Sequence, residues 1–161
     1  MNPDDTSEIK RCKKLAETLE LPSRKHVPGK NKRPPEGFMD HVVCQSHAVT
    51  VSETADTNLG WLYGLRLLKN GFYWEAHEVL EAIWMRAAPN SRERKLLQAI
   101  IHIANSAIKI RMGRPKAALR LRTLADECIA QAFKNQKERS VMQIRLNDVI
   151  AMTESHLQKE T

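Results

Sequence analysis

A chain of 161 residues that is 42% hydrophobic and 28% charged can bury a real core, and its composition excludes general disorder. No apolar run approaches the ~18 residues of a membrane span, and Met1-Asn2-Pro3-Asp4-Asp5 lacks the basic-then-apolar pattern of a signal peptide, so a cytoplasmic protein is expected. The net charge is +7, and Cys12, Cys44 and Cys128 are odd in number and far apart, which argues against a disulfide framework or a structural zinc cluster and for reduced thiols.

Residues 1–52 read as a mostly irregular N-terminal arm. A short helix fits about 7–19, after which Pro22, Pro28, Gly29, Pro34, Pro35 and Gly37 interrupt any period. Residues 41–51 are β-branched, but without a second strand to pair with they are expected to be irregular. From 53 to 161 the pattern is helical. Asp56 or Thr57 can cap a helix over 58–69, which Asn70-Gly71 stops. A second helix spans about 73–86. Asn90-Ser91 caps a third over 92–112, closed by Gly113. Pro115 opens a fourth to about 133. A fifth is expected over 137–157, carrying Val141, Ile144, Leu146, Val149, Ile150 and Met152. Short loops between long helices imply antiparallel neighbours, so the fold class is all-α: a compact bundle of about five helices built from helical hairpins.

Two hairpins are alike, since Gly71-x-Tyr73-x-x-Ala76 and Gly113-x-Pro115-x-x-Ala118 pair a glycine turn with a small residue five positions on. Gly64, Tyr73, Ala76 and Leu80 also match part of the tetratricopeptide pattern. A protein-interaction module or homo-oligomer with a purely structural polar network is therefore the alternative to a ligand site. Between Arg86 and Arg122 ten basic residues face one acid, Glu93. Arg111, Arg114, Lys116, Arg120 and Arg122 make a patch suited to an anion or to weak, sequence-independent nucleic-acid binding. The plainer reading of this patch is a solvated basic surface. No membrane partner is expected.

The run from Trp74 to Trp84 carries the strongest signal. At about 100° per residue His77, Glu81 and Trp84 fall within roughly 60° on the wheel, flanked by Trp74 and Leu80, so a polar pair interrupts an apolar face. Half-buried ionisable groups need partners. The helix over 92–112 is apolar on nearly every side, yet Gln98, His102, Asn105 and Lys109 recur on one stripe. Two polar stripes on antiparallel neighbours can face each other. They either form a structural hydrogen-bond network or a pocket, with a divalent metal on His77, Glu81 and His102, or an organic acid or phosphate on His102 and Lys109. No cofactor is the plainer expectation, and His77-Glu78-x-x-Glu81 departs from both H-E-x-x-H zinc sites and di-iron bundles. Trp61, Tyr63, Phe72, Tyr73, Trp74 and Trp84 are expected to build one core between the first two bundle helices.

Asn70-Gly71-Phe72-Tyr73-Trp74-Glu75-Ala76-His77-Glu78-Val79-Leu80-Glu81-Ala82-Ile83-Trp84, with Leu97-Gln98-Ala99-Ile100-Ile101 and the run from Gly113 to Leu119, resembles the family catalogued as domain of unknown function 309. Its members are small all-helical proteins with a G-x-[YF]-[WF]-E-A-H-E-x-x-E-x-x-W signature. The resemblance spans about 59–124, and the arm with Val27-Pro28-Gly29 and Arg33-Pro34-Pro35 is similar to that of the family's proteobacterial members. Ala99 stands where a glycine is expected and His102 where a glutamine is more usual, which shifts weight onto Glu75, His77, Glu78, Glu81 and Gln98. The resemblance implies the fold and the place of the site, and it carries no activity.

Overall fold

Glycine and proline set the helix ends in the second half of the chain. Gly71 takes φ +78° after α3 (Leu59–Lys69), a left-handed conformation that stops that helix and lets α4 (Tyr73–Met85) reverse direction. Ser91 accepts the Arg94 N–H at 3.1 Å to cap α5 (Arg92–Arg111), and Pro115 occupies the first turn of α6 (Pro115–Ala132). The computed structural model describes residues 2–134 and 140–158. The remaining described elements are α1 (Pro3–Thr18), α2 (Asp40–Val43), a 3-10 helix at Ser52–Thr57, a hairpin of β1 (Ser140–Val141) and β2 (Ile144–Arg145), and α7 (Leu146–Gln158).

Helix α5 is central. Leu96, Leu97, Ala99, Ile100 and Ala104 are wholly buried, and the helix packs along both α4 and α6. α3 lies on the other side of α4, and α1 lies on α3. Tyr63 donates its hydroxyl to the Glu20 carbonyl at 2.7 Å, and Arg66 donates to the Ala16 carbonyl at 3.0 Å, fixing the end of α1 to α3. The architecture is the expected all-α bundle of hairpins. Trp61, Tyr63, Phe72, Tyr73 and Trp74 share its core, while Trp84 is only partly buried and lies under the Arg94 guanidinium, 3.9 Å from its ring centre.

Four local expectations are corrected. α1 begins at Pro3 because proline suits the first turn and the Asn2 N–H donates to Asp5 Oδ2 at 3.2 Å. The cap of α3 is the buried Asn58, whose Oδ1 accepts the Trp61 N–H at 3.2 Å, and neither Asp56 nor Thr57 serves. The segment 41–51 contributes the short α2 and a single parallel bridge, Thr50 to Ala87. The fifth bundle helix starts at Leu146, and residues 137–139 of the expected helix lie outside the described residues. At 140–145 a hairpin wins over helix because Met142 is tied into the core. Its N–H donates to Ser52 Oγ at 3.1 Å, its carbonyl accepts Trp61 Nε1–H at 3.2 Å, and Met142 and Gln143 take φ 49° and 63°, a two-residue turn of the kind that twisted strands favour.

The α3–α4 contact depends on a missing side chain. A Cβ at Gly64 would lie 2.6 Å from Leu80 Cδ2. Gly64→Ala is expected to lower stability by about 1–3 kcal/mol through overpacking, outweighing the ~1 kcal/mol that alanine gains in helix propensity. Urea denaturation monitored by tryptophan fluorescence measures this, and an unchanged or raised midpoint contradicts the packing described.

Candidate functional site

α4 is divided lengthwise. Ala76, Val79, Leu80 and Ile83 are wholly buried against α3 and α5, so the turn-by-turn geometry turns His77, Glu78 and Glu81 toward the opposite side. There the polar stripe lies at the surface, partly covered, and is not sealed in the core: about half of the Glu81 side chain is exposed. The imidazole stands between two carboxylates, with Nδ1 3.3 Å from Glu78 Oε1 and Nε2 3.7 Å from Glu81 Oε2. Nδ1 is shielded from solvent and lies close to the Glu78 carboxylate without a well-aligned hydrogen bond. Contact with His77 holds the Glu78 carboxyl below the usual carboxylate range, aided by the charges of Arg33 and His26 and opposed by burial. Partly exposed ion pairs of this kind contribute at most about 1 kcal/mol to stability.

His77 also lines a groove of about 290 Å³ whose other walls are Pro28 from the arm, Trp74 from α4, Asn105, Ile108 and Lys109 from α5, and Leu121 from α6. The arm is held on this edge by Trp74. Phe38 stacks on its indole at 5.5 Å, His26 meets it edge-on at 4.7 Å, and Arg33 lies over it at 5.4 Å.

Glu75 points inward. It is wholly buried, and its Oε1 accepts the His26 N–H at 2.7 Å while Oε2 has no hydrogen-bond partner. Burial pushes its carboxyl up, against the backbone N–H groups of His26 and Glu75 itself and the charges of His26 and Arg111. Its place is therefore beneath the arm, as the anchor of the loop that brings Pro28 to the groove.

The expected residues thus separate. His77, Glu78 and Glu81 offer ligand atoms that all lie within 4.8 Å of one another, a trio in which Glu78 stands where His102 was expected. Lys109 and Asn105 join His77 at the groove. Gln98 and His102 do not line it. His102 is partly buried, its Nδ1 is unpartnered, and burial lowers its pKa. The structural network expected between Glu81 and Lys109 or His102 does not form among the described residues. Asn105 was legible from its stripe on the helix over 92–112, whereas Pro28 reaches the groove through an arm whose sequence carries no period.

Many arginines of the basic stretch serve the chain itself. Arg86 donates to the carbonyls of Val43, Ser46 and His47, Arg94 to that of Ala87, Arg92 to that of Ala132, and Arg111 to that of Gly71 while lying over the Tyr73 ring. The cysteines are free.

These features define a class: a helical-hairpin protein that presents a histidine and two carboxylates from one helix beside a small groove. Residues 61–121, from within α3 to about the second turn of α6, match the family model described as Domain of unknown function (DUF309). No curated protein matches the chain, and no solved structure does. No helix among the described residues is long and apolar enough to cross a membrane.

The buried Glu75 makes stability depend on pH in a predictable direction. Its folded-state pKa is raised, so its contribution is full below the ordinary value of 4.5 and is lost as pH rises through the folded value. Glu75→Gln keeps an acceptor for the His26 N–H and removes the titration. The difference in unfolding free energy between wild type and variant is therefore expected to shift in favour of the variant as pH climbs from about 4.5. A difference that stays flat with pH in chemical denaturation contradicts this assignment.

Proposed function

We propose that the protein is a small-ligand-binding protein that holds a divalent cation, Zn²⁺ or Fe²⁺, on His77, Glu78 and Glu81 beside the α4–α5 groove. The observation that carries this reading is the convergence of three ligand atoms within 4.8 Å on one helix face, with the imidazole also lining the groove. Imidazole nitrogen and carboxylate oxygen are ordinary ligands for these ions. One cation bound to a single His77 ring nitrogen and to an oxygen of each carboxylate would offset the mutual repulsion of Glu78 and Glu81. Three protein ligands leave coordination positions for water or a bound molecule.

A partner-binding module asks instead for a contiguous exposed apolar face. Among the described residues the large exposed apolar side chains are Leu15, Val49, Met85, Leu119, Leu124 and Ile150, spread over α1, a loop, the end of α4, α6 and α7. That dispersal supports the groove over a docking face.

Calorimetric titration of untagged, chelator-treated protein with Zn²⁺ tests the reading. One ion per chain is expected, with binding lost in His77→Ala and weakened at least about tenfold in Glu78→Gln and Glu81→Gln. Affinity should rise with pH as ligand protons are displaced. A wild-type isotherm indistinguishable from that of His77→Ala overturns the metal site.

A further inference from the structure

The α5 wall of the groove carries a cation that has no counter-ion among the described residues. Lys109 lines the groove and is partly buried, and among the described residues it has no acidic partner and the Asn105 side chain one turn away makes no hydrogen bond. The other cation nearby, Arg33, lies over the Trp74 face. An ammonium that sits in a groove rather than on an open surface, beside an amide with free donors, is placed to receive an anion.

From this arrangement we infer that the groove binds the phosphate group of a small phosphorylated molecule, with Lys109 as counter-ion and Asn105 as neutral donor. Lysine is a point charge with three donors, which suits a tetrahedral oxyanion whose oxygens point several ways. A phosphate ester carries up to two negative charges against the single charge of a carboxylate, so a lone ammonium attracts it more strongly. The volume of about 290 Å³ sits at the small end of ligand pockets, enough for a phosphate and a short organic body and too small for a nucleic-acid strand. Trp74, Pro28, Ile108 and Leu121 supply the apolar surface that such a body would meet. The inference deepens the ligand-site reading, and its Lys109–Asn105 half stands apart from the His77–Glu78–Glu81 half.

Amide chemical-shift titration of metal-free, isotopically labelled protein with inorganic phosphate, glycerol phosphate and acetate separates the possibilities. Saturable shifts centred on residues 105–109 are expected for both phosphates, tighter for the ester. Lys109→Met should weaken binding at least tenfold and Asn105→Ala less, while Arg120→Met, which removes an exposed charge on α6, leaves it unchanged. Lys109→Met should still bind Zn²⁺, and His77→Ala should still bind phosphate. Loss of zinc binding alone therefore removes the metal reading and leaves the anion site. Acetate binding as tightly as phosphate, equal weakening by Arg120→Met and Lys109→Met, or no saturable shift overturns the phosphate inference.

Discussion

Helix α5 cannot meet water over most of its circumference, and the positions of its neighbours follow from that. Its leucines, isoleucines and alanines need cover on two flanks, which α4 and α6 provide as antiparallel partners through short turns. Ser106 strengthens one seam by donating its hydroxyl to the Ala118 carbonyl at 2.9 Å. The stripe of α5 that is not wholly covered carries Gln98, His102, Asn105 and Lys109, and its lower half runs beside His77. The groove is thus what remains where two covered helices each keep a polar edge.

The arm completes that edge. Trp74 is nearly buried because the arm covers it, with an aromatic stack, an edge contact and a guanidinium. Glu75, one residue along, fixes the arm backbone at His26. Trp74 and Glu75 therefore serve the arm, Ala76 is wholly buried in the core, and His77 and Glu78 lie in the surface cluster. This explains why the Trp-Glu-Ala-His-Glu run is dense in unusual residues: each has a different neighbour. Oε2 of Glu75 remains unpartnered in the interior, a cost of about 1–3 kcal/mol for a buried polar atom. Protonation of a carboxyl whose pKa burial has raised reduces that cost.

Much of this was legible in the residues. The helical periods, the glycine stops and the proline starts marked α3 to α6 closely, because local turn chemistry and the apolar stripe agree there. They disagree at 140–145, where long-range bonds to Trp61 and Ser52 hold a hairpin that no local pattern announces. At the site, helical spacing grouped His77 with Glu81 and Lys109 with Asn105. It could not tell that His102 lies outside the cluster, since a wheel gives direction around an axis and not the offset between two helices. Nor could it show that Arg86, Arg92, Arg94 and Arg111 of the basic stretch donate to chain carbonyls, because a donor's target is a tertiary fact.

The central claim is that the outward face of α4 is a metal-binding surface rather than an ordinary cluster of charged side chains. X-ray diffraction at the zinc absorption edge, from crystals grown with Zn²⁺, measures this most directly. The account predicts one anomalous peak per chain within bonding distance, about 2.0–2.2 Å, of a His77 nitrogen and of carboxylate oxygens from Glu78 and Glu81. Zinc located only elsewhere on the chain, with His77 still between its two carboxylates and no peak beside it, would contradict it.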